Sequence, residues 1–339
     1  MTLSKPVIAG GSAGRQSDGA IQPGGKPAAP PPAEGLVRRA PLSTGQWRQI
    51  ALLTLGAVAL FIAVRRLPTG TNLAHVDFQA PGGNIIQFCD PANPAFIPVV
   101  AVKSPVTMRL ATDVPPATGR VVHVTLNLRT FTGRPITPED LLVVHTKLLH
   151  VMVIDPSLRD YQHIHPVPGR RPGEWDFDLT PRRAGLYRVF ADFTPVATAR
   201  GLYASAEFTV PGKPDVPPAE DNWTCEDDGL RFTLAPDAPI RVRDVITLML
   251  TVESVGGRRR MPLEPVMGAY AHLMAFDEVR SGFAHIHPQQ VDLSRHPDPY
   301  RPQLTFKVQI PQAGRYVIWS QVKIDGRERF APFWFEVAP

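Results

Sequence analysis

The stretch HVMVIDPSLRDYQHIHP, residues 150–166, has a close counterpart in HLMAFDEVRSGFAHIHP, residues 272–288. The two stretches are identical at 7 of 17 positions, namely three histidines, a methionine, an aspartate, an isoleucine and a proline. In each, a strand-like apolar run leads into a turn-forming segment, and a second run ends in His-x-His-Pro. This internal repeat predicts two copies of one β-hairpin, and therefore two domains of the same kind.

The register of each hairpin follows from its turn. If DPSLRD closes a simple antiparallel hairpin, Ile154 faces Tyr161 and Met152 faces His163. Directly opposed residues lie on one face of a sheet, about 4.5–5.5 Å apart, so each hairpin gathers three imidazoles and a thioether on one face. The predicted metal ligands are His150, His163, His165 and Met152 in the first copy, and His272, His285, His287 and Met274 in the second.

The donor types indicate which ions such a face can hold. Three imidazoles can converge on one ion at the usual metal–nitrogen distance of about 2.0–2.1 Å. A His-x-His strand with one histidine from its neighbour is similar to the zinc site of carbonic anhydrases, in site geometry alone. The adjacent thioether favours copper over zinc, because soft sulfur suits copper. His145 and Met267, five residues before the first histidine of each copy, are further candidate ligands.

The alternative hypothesis is that the histidines are packed structural residues that bind no metal. The opposite face of each hairpin is aliphatic, and is therefore the better candidate for a domain core. That would leave the histidines near the surface or under another element, which favours metal binding, whereas neighbours such as Tyr161 and Phe283 favour packing. The aliphatic residues are Leu149, Val151, Val153 and Ile164, and Leu273, Ala275, Ala284 and Ile286.

The remainder of the folded region predicts strands throughout. The 38 prolines argue against long helices. Each repeat also carries a later Gly-x-Tyr strand, AGLYRVFADF at 184–193 and AGRYVIWSQV at 313–322, which resembles the tyrosine corner of immunoglobulin-like domains. We therefore expect an all-β fold of two tandem immunoglobulin-like β-sandwiches. Their predicted bounds are residues 101–212 and 222–339, with a linker at 213–221.

The amino-terminal region has a different character. Residues 1–45 are rich in Gly, Pro, Ala and Ser and predict a disordered tail. Residues 46–67 predict a transmembrane signal anchor, although the uncharged run Ile50–Val64 would form only about 22 Å of helix against a ~30 Å hydrocarbon core. A cleaved signal peptide is the alternative, but no small-residue cleavage pattern follows. Residues 68–100 would be an extracytoplasmic connecting segment.

The distribution of charge and the number of cysteines limit which other classes of function the protein can have. The net charge is +5, but residues 1–67 hold eight Lys/Arg and two acids, so the rest of the chain sums to about −1. The basic charge belongs to the tail and the membrane flank, so we predict no nucleic-acid partner. Cys89 and Cys225 are too few for a thiolate zinc site; they form either one disulfide bond or two buried thiols.

The HIHP hairpin followed by AGLYRVFADFTP resembles a group of bacterial exported or membrane-anchored proteins. These carry one or two immunoglobulin-like or cupredoxin-like sandwiches, and some are described as heavy-metal-associated. The resemblance covers roughly residues 80–339. The chain is also similar in general style to small periplasmic copper carriers, whose amino-terminal histidine ligand an anchored chain cannot supply. The resemblance implies the bacterial cytoplasmic membrane, with the carboxy-terminal domains in the periplasm or outside the cell, and metal handling.

These observations predict a membrane-anchored, extracytoplasmic, non-catalytic protein that binds copper first and zinc second, with one site per repeat. A structural or protein-interaction module with packed histidines is the alternative, and its partner would be unknown. A metal-dependent enzyme comes third, because Asp155 and Asp277 stand at turns and the chain has no nucleophile triad, phosphate loop or nucleotide fingerprint.

Overall fold

The computed structural model describes residues 41–66, 75–78, 95–217 and 220–339. Most of the predicted tail (residues 1–40), most of the predicted connecting segment and Cys89 lie outside the described residues, so the Cys89–Cys225 disulfide stays a prediction.

One long helix, α1, covers Thr44–Arg66. It begins with a capping box, in which the Gln46 N–H donates to Ser43 Oγ at 3.2 Å and the Ser43 N–H donates to Gln46 Oε1 at 2.8 Å. The helix has 23 residues and none of its side chains is buried. At about 1.5 Å per residue it is about 34 Å long. By length and composition, it is long and apolar enough to cross a membrane.

The described part of residues 68–339 forms four sheets whose strands all pair antiparallel. Two short 3-10 helices cover His75–Phe78 and Pro138–Asp140. The strands of the first repeat are β1 Val106–Thr112, β2 Val122–Thr130, β3 Leu141–Leu142, β4 Leu149–Ile154, β5 Tyr161–Ile164, β6 Val167–Pro168, β7 Glu174–Leu179, β8 Gly185–Pro195 and β9 Leu202–Val210. Those of the second are β10 Thr224–Asp227, β11 Leu230–Pro236, β12 Val245–Ser254, β13 Leu263–Glu264, β14 Ala271–Asp277, β15 Phe283–Ile286, β16 Gln303–Gln309, β17 Gly314–Ile324 and β18 Arg327–Val337.

Each repeat places two sheets around one hydrophobic core. In the first repeat the sheets have the orders β1-β2-β7-β6 and β3-β8-β4-β5, with β9 paired to β8. In the second they are β10-β11-β12-β16 and β13-β17-β14-β15, with β18 paired to β17. The prediction of an all-β fold with two tandem β-sandwich domains after one apolar helix is confirmed. The immunoglobulin-like assignment stays a prediction.

Strand β4 shows how the sequence pattern encodes this arrangement. All six of its residues are buried, although a strand with one solvated face would alternate. Leu149, Val151 and Val153 belong to the core of the first sandwich. Met152 and Ile154, on the opposite face, belong to a different cluster that includes residues of both repeats. The mostly apolar sequence of β4 is therefore that of a strand covered on both faces.

The second cluster lies between the two five-stranded sheets, and we call it the interface cluster. The Phe276 ring lies 5.4 Å from the Tyr161 ring and 6.1 Å from the Phe190 ring, between centroids. The Trp319 indole N–H donates to the Leu158 carbonyl at 3.1 Å. The two sandwiches therefore pack through apolar contacts and hydrogen bonds. The cluster consists of Ile97, Val99, Met152, Ile154, Leu158, Tyr161, Phe190, Tyr203, Met274, Phe276, Phe283, Val317, Trp319 and Trp334.

The Gly-x-Tyr strands form the same kind of corner in both repeats, with different partners. The Tyr187 hydroxyl accepts from the Arg183 N–H at 3.1 Å and donates to the buried Asp160 carboxylate at 2.6 Å. The Tyr316 hydroxyl donates only to a carbonyl, that of Gln312, at 3.1 Å. The first corner therefore includes a bond to a buried charge.

Replacing Tyr187 by Phe should destabilise the protein more than replacing Tyr316 by Phe. A bond to a buried charged group contributes about 1.5–3 kcal/mol and a neutral one about 0.5–1.5 kcal/mol. We expect losses in the free energy of unfolding of about 2 and about 1 kcal/mol, measured by chemical denaturation. Equal losses would contradict the importance of the Asp160 contact.

Candidate metal centre

The hairpin register that the sequence predicts is observed in both repeats. Met152 pairs with His163, and Ile154 with Tyr161. Met274 pairs with His285, and Phe276 with Phe283. In the first repeat, the Asp155 carboxylate closes the turn between β4 and β5 by accepting hydrogen bonds from the N–H groups of residues 157, 159 and 160. The same register also predicts His150 opposite His165 and His272 opposite His287; these pairs lie just beyond the last hydrogen-bonded pair of each ladder, and their rings are 5.1 and 4.8 Å apart.

His150, His163 and His165 form the first triad. One ring nitrogen from each lies within 4.8 Å of the others, and the ring centroids are 4.9–5.6 Å apart. Each ring of the triad also has one buried nitrogen without a hydrogen-bond partner, namely His150 Nδ1, His163 Nε2 and His165 Nε2. Buried polar atoms are almost always satisfied, so these three nitrogens are available to bind a metal ion.

The hydrogen bonds of the first triad determine where the protons lie. The His150 Nε2 atom is 3.0 Å from the Val144 carbonyl oxygen; a carbonyl only accepts, so Nε2 carries the proton and Nδ1 holds a lone pair. The His163 Nδ1 atom is 2.9 Å from Gln321 Oε1. The Gln321 amide is oriented by its own N–H donation to Glu328 at 2.8 Å, so His163 Nδ1 is the donor. In the neutral ring, His163 Nε2 therefore presents a lone pair to the triad.

His272, His285 and His287 form the second triad, which is fully buried. The distance from His272 Nδ1 to His285 Nε2 is 3.1 Å, and that from His287 Nε2 to His285 Nε2 is 3.3 Å. Ligand atoms at about 2.0–2.1 Å from a tetrahedral ion are about 3.3–3.4 Å apart. Two of the three nitrogen–nitrogen distances in the second triad are therefore close to those of a tetrahedral metal site, and the third is within 4.8 Å.

The hydrogen bonds of His272 and His285 place the protons of these two rings away from the centre of the second triad. His272 Nε2 lies 3.0 Å from the Val266 carbonyl oxygen, and His285 Nδ1 lies 3.4 Å from the Asp192 carboxylate. Both partners are acceptors, so in neutral rings the lone pairs of His272 Nδ1 and His285 Nε2 face each other at 3.1 Å. Two facing lone pairs repel, and a cation between them removes that repulsion.

Burial keeps these rings neutral. It lowers the pKa of His150 and His165 to about 4 and that of His287 to about 3, because water is excluded from the charged form. Burial also holds the pKa values of the remaining three histidines well below 6.5. Neutral imidazole is the form that binds metal, so the triads need lose no protons at neutral pH to accept an ion.

The residues that orient the middle histidines were missed in the sequence. Gln321 of the second repeat holds His163 of the first, and Asp192 of the first repeat faces His285 of the second. Asp192 and Gln321 occupy the same position of the two Gly-x-Tyr strands, and each pairs with the first histidine of its own repeat. Such partners commonly fix the tautomer of a ligating histidine. The sequence feature that could have identified Asp192 and Gln321 is their equivalent position in the two copies of the repeat.

The two triads are neighbours across the interface between the sandwiches. The His285 ring centroid is 5.9 Å from those of His150 and His163, little more than the distances within a triad. His145 also reaches the group, with its ring 4.0 Å from that of His287. Seven imidazoles of the described residues therefore converge at one place, which the sequence had predicted as two separate sites.

The two predicted methionine ligands pair with the middle histidines of the triads, Met152 with His163 and Met274 with His285. Met152 and Met274 are fully buried and belong to the interface cluster. Their predicted role as sulfur ligands stays a prediction.

The fold and site together define a class of protein: two packed β-sandwiches with histidine triads at their interface. The chain belongs to the family described as a domain of unknown function, DUF8832, which matches residues 101–212 and 224–339 and so occurs twice. No curated protein is significantly similar to the chain.

Solved structures include distant similarities. Native alpha-2-macroglobulin of Escherichia coli is 12% identical, with 69% of this chain and 17% of that one covered and a TM-score of 0.22. Red sea bream transglutaminase is 11% identical, with 68% and 31% covered and a TM-score of 0.21. The chain thus spans less than a third of either protein, and these TM-scores assign neither a fold nor a function.

Proposed function

We propose that this protein is a membrane-anchored, extracytoplasmic, non-catalytic metal-binding protein that holds one copper ion in each histidine triad, with zinc as the second candidate. The observation that carries the proposal is the orientation of the imidazoles. Each histidine of the first triad has one buried nitrogen without a hydrogen-bond partner, and in the second triad the nitrogens of His272 and His285 face each other. Carbonyl, amide and carboxylate oxygens accept the ring protons of four of these five histidines.

The closeness of the triads supports monovalent copper over zinc. Rings of different triads are 5.9 Å apart. If the two ions are about as far apart as these rings, two divalent ions repel by ~11 kcal/mol at an effective dielectric constant of ~20, against ~3 kcal/mol for two monovalent ions. Desolvation in a buried site also penalises the higher charge more strongly. Neutral imidazoles beside thioethers are suitable ligands for Cu(I).

The amino-terminal helix supports the anchor. It is long and apolar enough to span a bilayer, and Arg65 and Arg66 follow the apolar run, where their side chains can reach the lipid headgroups. In the proposed orientation the amino-terminal tail lies in the cytoplasm and the two sandwiches lie outside, where they would buffer or pass copper.

Titration of the full-length chain in detergent with Cu(I), against a competing chelator, tests the metal site. We expect two ions per chain, the second bound about 100-fold more weakly, since ~3 kcal/mol of repulsion corresponds to about that factor. Zn(II) should fill one triad tightly and the other far more weakly, because its repulsion is about four times larger.

Paired substitutions assign the ions to the triads. His163→Ala with His165→Ala should remove one ion, and His285→Ala with His287→Ala should remove the other. The matched control is His123→Ala with His296→Ala, which removes two exposed histidines outside the triads and should leave both ions. A folded protein that binds no ion in any of these forms would instead support an interaction module with packed histidines.

A further inference from the structure

His145 lies in a tight turn of the first repeat. The turn is closed by hydrogen bonds between Val144 and Lys147 of 2.9 and 3.0 Å. Both of its central residues have left-handed backbone angles, with φ of 49° at His145 and 68° at Thr146. This is the pattern of a type I′ turn, and it is unfavourable for a β-branched residue such as Thr146.

The second repeat has the same turn with different residues. Met267 and Gly268 take its central positions, with φ of 50° and 79°, between Val266 and Ala269. Glycine adopts this conformation without strain. The first repeat therefore differs from the second by carrying an imidazole at the first central position and a strained residue at the next.

The His145 side chain crosses to the other repeat. Its ring centroid is 4.0 Å from that of His287, 5.7 Å from that of His285 and 6.2 Å from that of His272. Within its own repeat the distance to His150 is 6.1 Å. The nearest imidazole is therefore in the second triad, and the ring is within 6.2 Å of all three members of that triad.

We infer that His145 is a fourth ligand of the ion in the second triad, so that both sandwiches bind that ion. The inference rests on the proposed metal site and adds a ligand from the opposite repeat. Three imidazoles leave one position of a tetrahedral ion open, and a fourth closes it. At the equivalent turn position, Met267 offers no imidazole to the first triad, so the two sites are chemically different.

The surroundings of the first triad agree with this difference. A surface cavity of about 270 Å³ is lined by both His145 and His150, together with Asp192 and Tyr203. The cavity reaches His150 of the first triad, two of whose histidines are only half-buried, whereas none of the three buried histidines of the second triad lines it. The ion of the first triad is therefore the exchangeable one, and the ion of the second triad, closed by His145, is the retained one.

The substitution His145→Asn tests the ligand assignment, because asparagine tolerates the left-handed conformation but lacks the imidazole. It is made in full-length chains in detergent that keep only one triad, with the paired His→Ala substitutions removing the other. With only the second triad present, Cu(I) affinity should fall about tenfold or more. With only the first triad present, it should change less than about twofold.

Thr146→Gly is the matched control, because it relaxes the same turn and keeps the imidazole; it should leave both affinities within about twofold. A second measurement uses the otherwise unaltered chain loaded with two Cu(I) ions. A chelator should remove one ion quickly and one slowly, and His145→Asn should make both removals fast.

Unchanged affinity of the second triad in His145→Asn, or a larger loss at the first triad, would overturn the assignment while the two-ion proposal stands. If the unaltered chain binds no Cu(I), both the metal site and the ligand assignment fall.

Discussion

Without bound metal, the folded domains are expected to lose most of their stability between pH 6.5 and about 4. Burial depresses the pKa of His150 and His165 to about 4 and that of His287 to about 3, from 6.5. Below pH 6.5 the unfolded chain therefore takes up protons that the folded chain does not. Stability is complete above pH 6.5, falls as the pH decreases, and stops falling below the folded-state pKa values.

The size of this effect is large compared with the stability of a protein. Each pKa unit corresponds to about 1.4 kcal/mol, so a buried histidine such as His150 or His287 contributes a loss of about 3 kcal/mol by pH 4. Two such groups already remove about 6 kcal/mol, against a usual total of about 5–15 kcal/mol. The other buried triad histidines act in the same direction.

The loss of stability is measured by thermal unfolding of the protein at several pH values in this range, with a chelator present to keep it free of metal. His150→Leu should reduce the steepness of the pH dependence by about one proton. His123→Gln is the control, since His123 is exposed and its pKa is raised through a hydrogen bond with Asp178. Bound copper should shift the loss to lower pH, because an ion that binds the folded state stabilises it. If the stability of the metal-free protein does not depend on pH over this range, the triads are not buried and neutral as described.

The substitution Gly282→Ala should destabilise the protein by about 3–5 kcal/mol and weaken copper binding. A Cβ atom at this position would lie 1.8 Å from the Ile97 carbonyl oxygen. Residue 97 pairs with Phe283 through two backbone hydrogen bonds of 2.8 and 3.1 Å. Either the segment around Ile97 must move away from the sheet edge, or β15 must move. Strand β15 carries His285.

Chemical denaturation and Cu(I) titration of Gly282→Ala provide the measurements. Gly326→Ala is the matched control: its φ is 72° and a Cβ there meets nothing within 4 Å. It should cost only the left-handed backbone penalty of about 1 kcal/mol and leave both ions bound. If the two substitutions cost the same, the segment before the first repeat does not pack against β15 as described.

The local part of the site was predictable from the sequence. The hairpin register depends on a turn whose Asp155 and Asp277 side chains accept nearby N–H groups, and identical histidine spacing in two copies pointed to one geometry. The aliphatic face was correctly predicted as domain core, because Val151 and Leu273 lie in the two sandwich cores.

The contacts between the repeats were not predictable in the same way. Periodicity describes which residues share a face of a hairpin, but not which surface covers that face. The second face of β4, which carries His150 and Met152, could equally have been covered by another chain. The pairing of His163 with Gln321, of His285 with Asp192 and of His145 with the second triad depends on residues roughly 90 to 160 positions apart, and only the packed interface brings them together.

X-ray absorption at the copper edge of the full-length protein, loaded with copper and freed of unbound ions, tests the metal centre most directly. Nitrogen-only or nitrogen-dominated coordination at about 2.0 Å, with the outer-shell scattering of three to four imidazoles per ion, is the predicted result. A copper shell without imidazole scattering, or a folded protein that retains no copper, would contradict it.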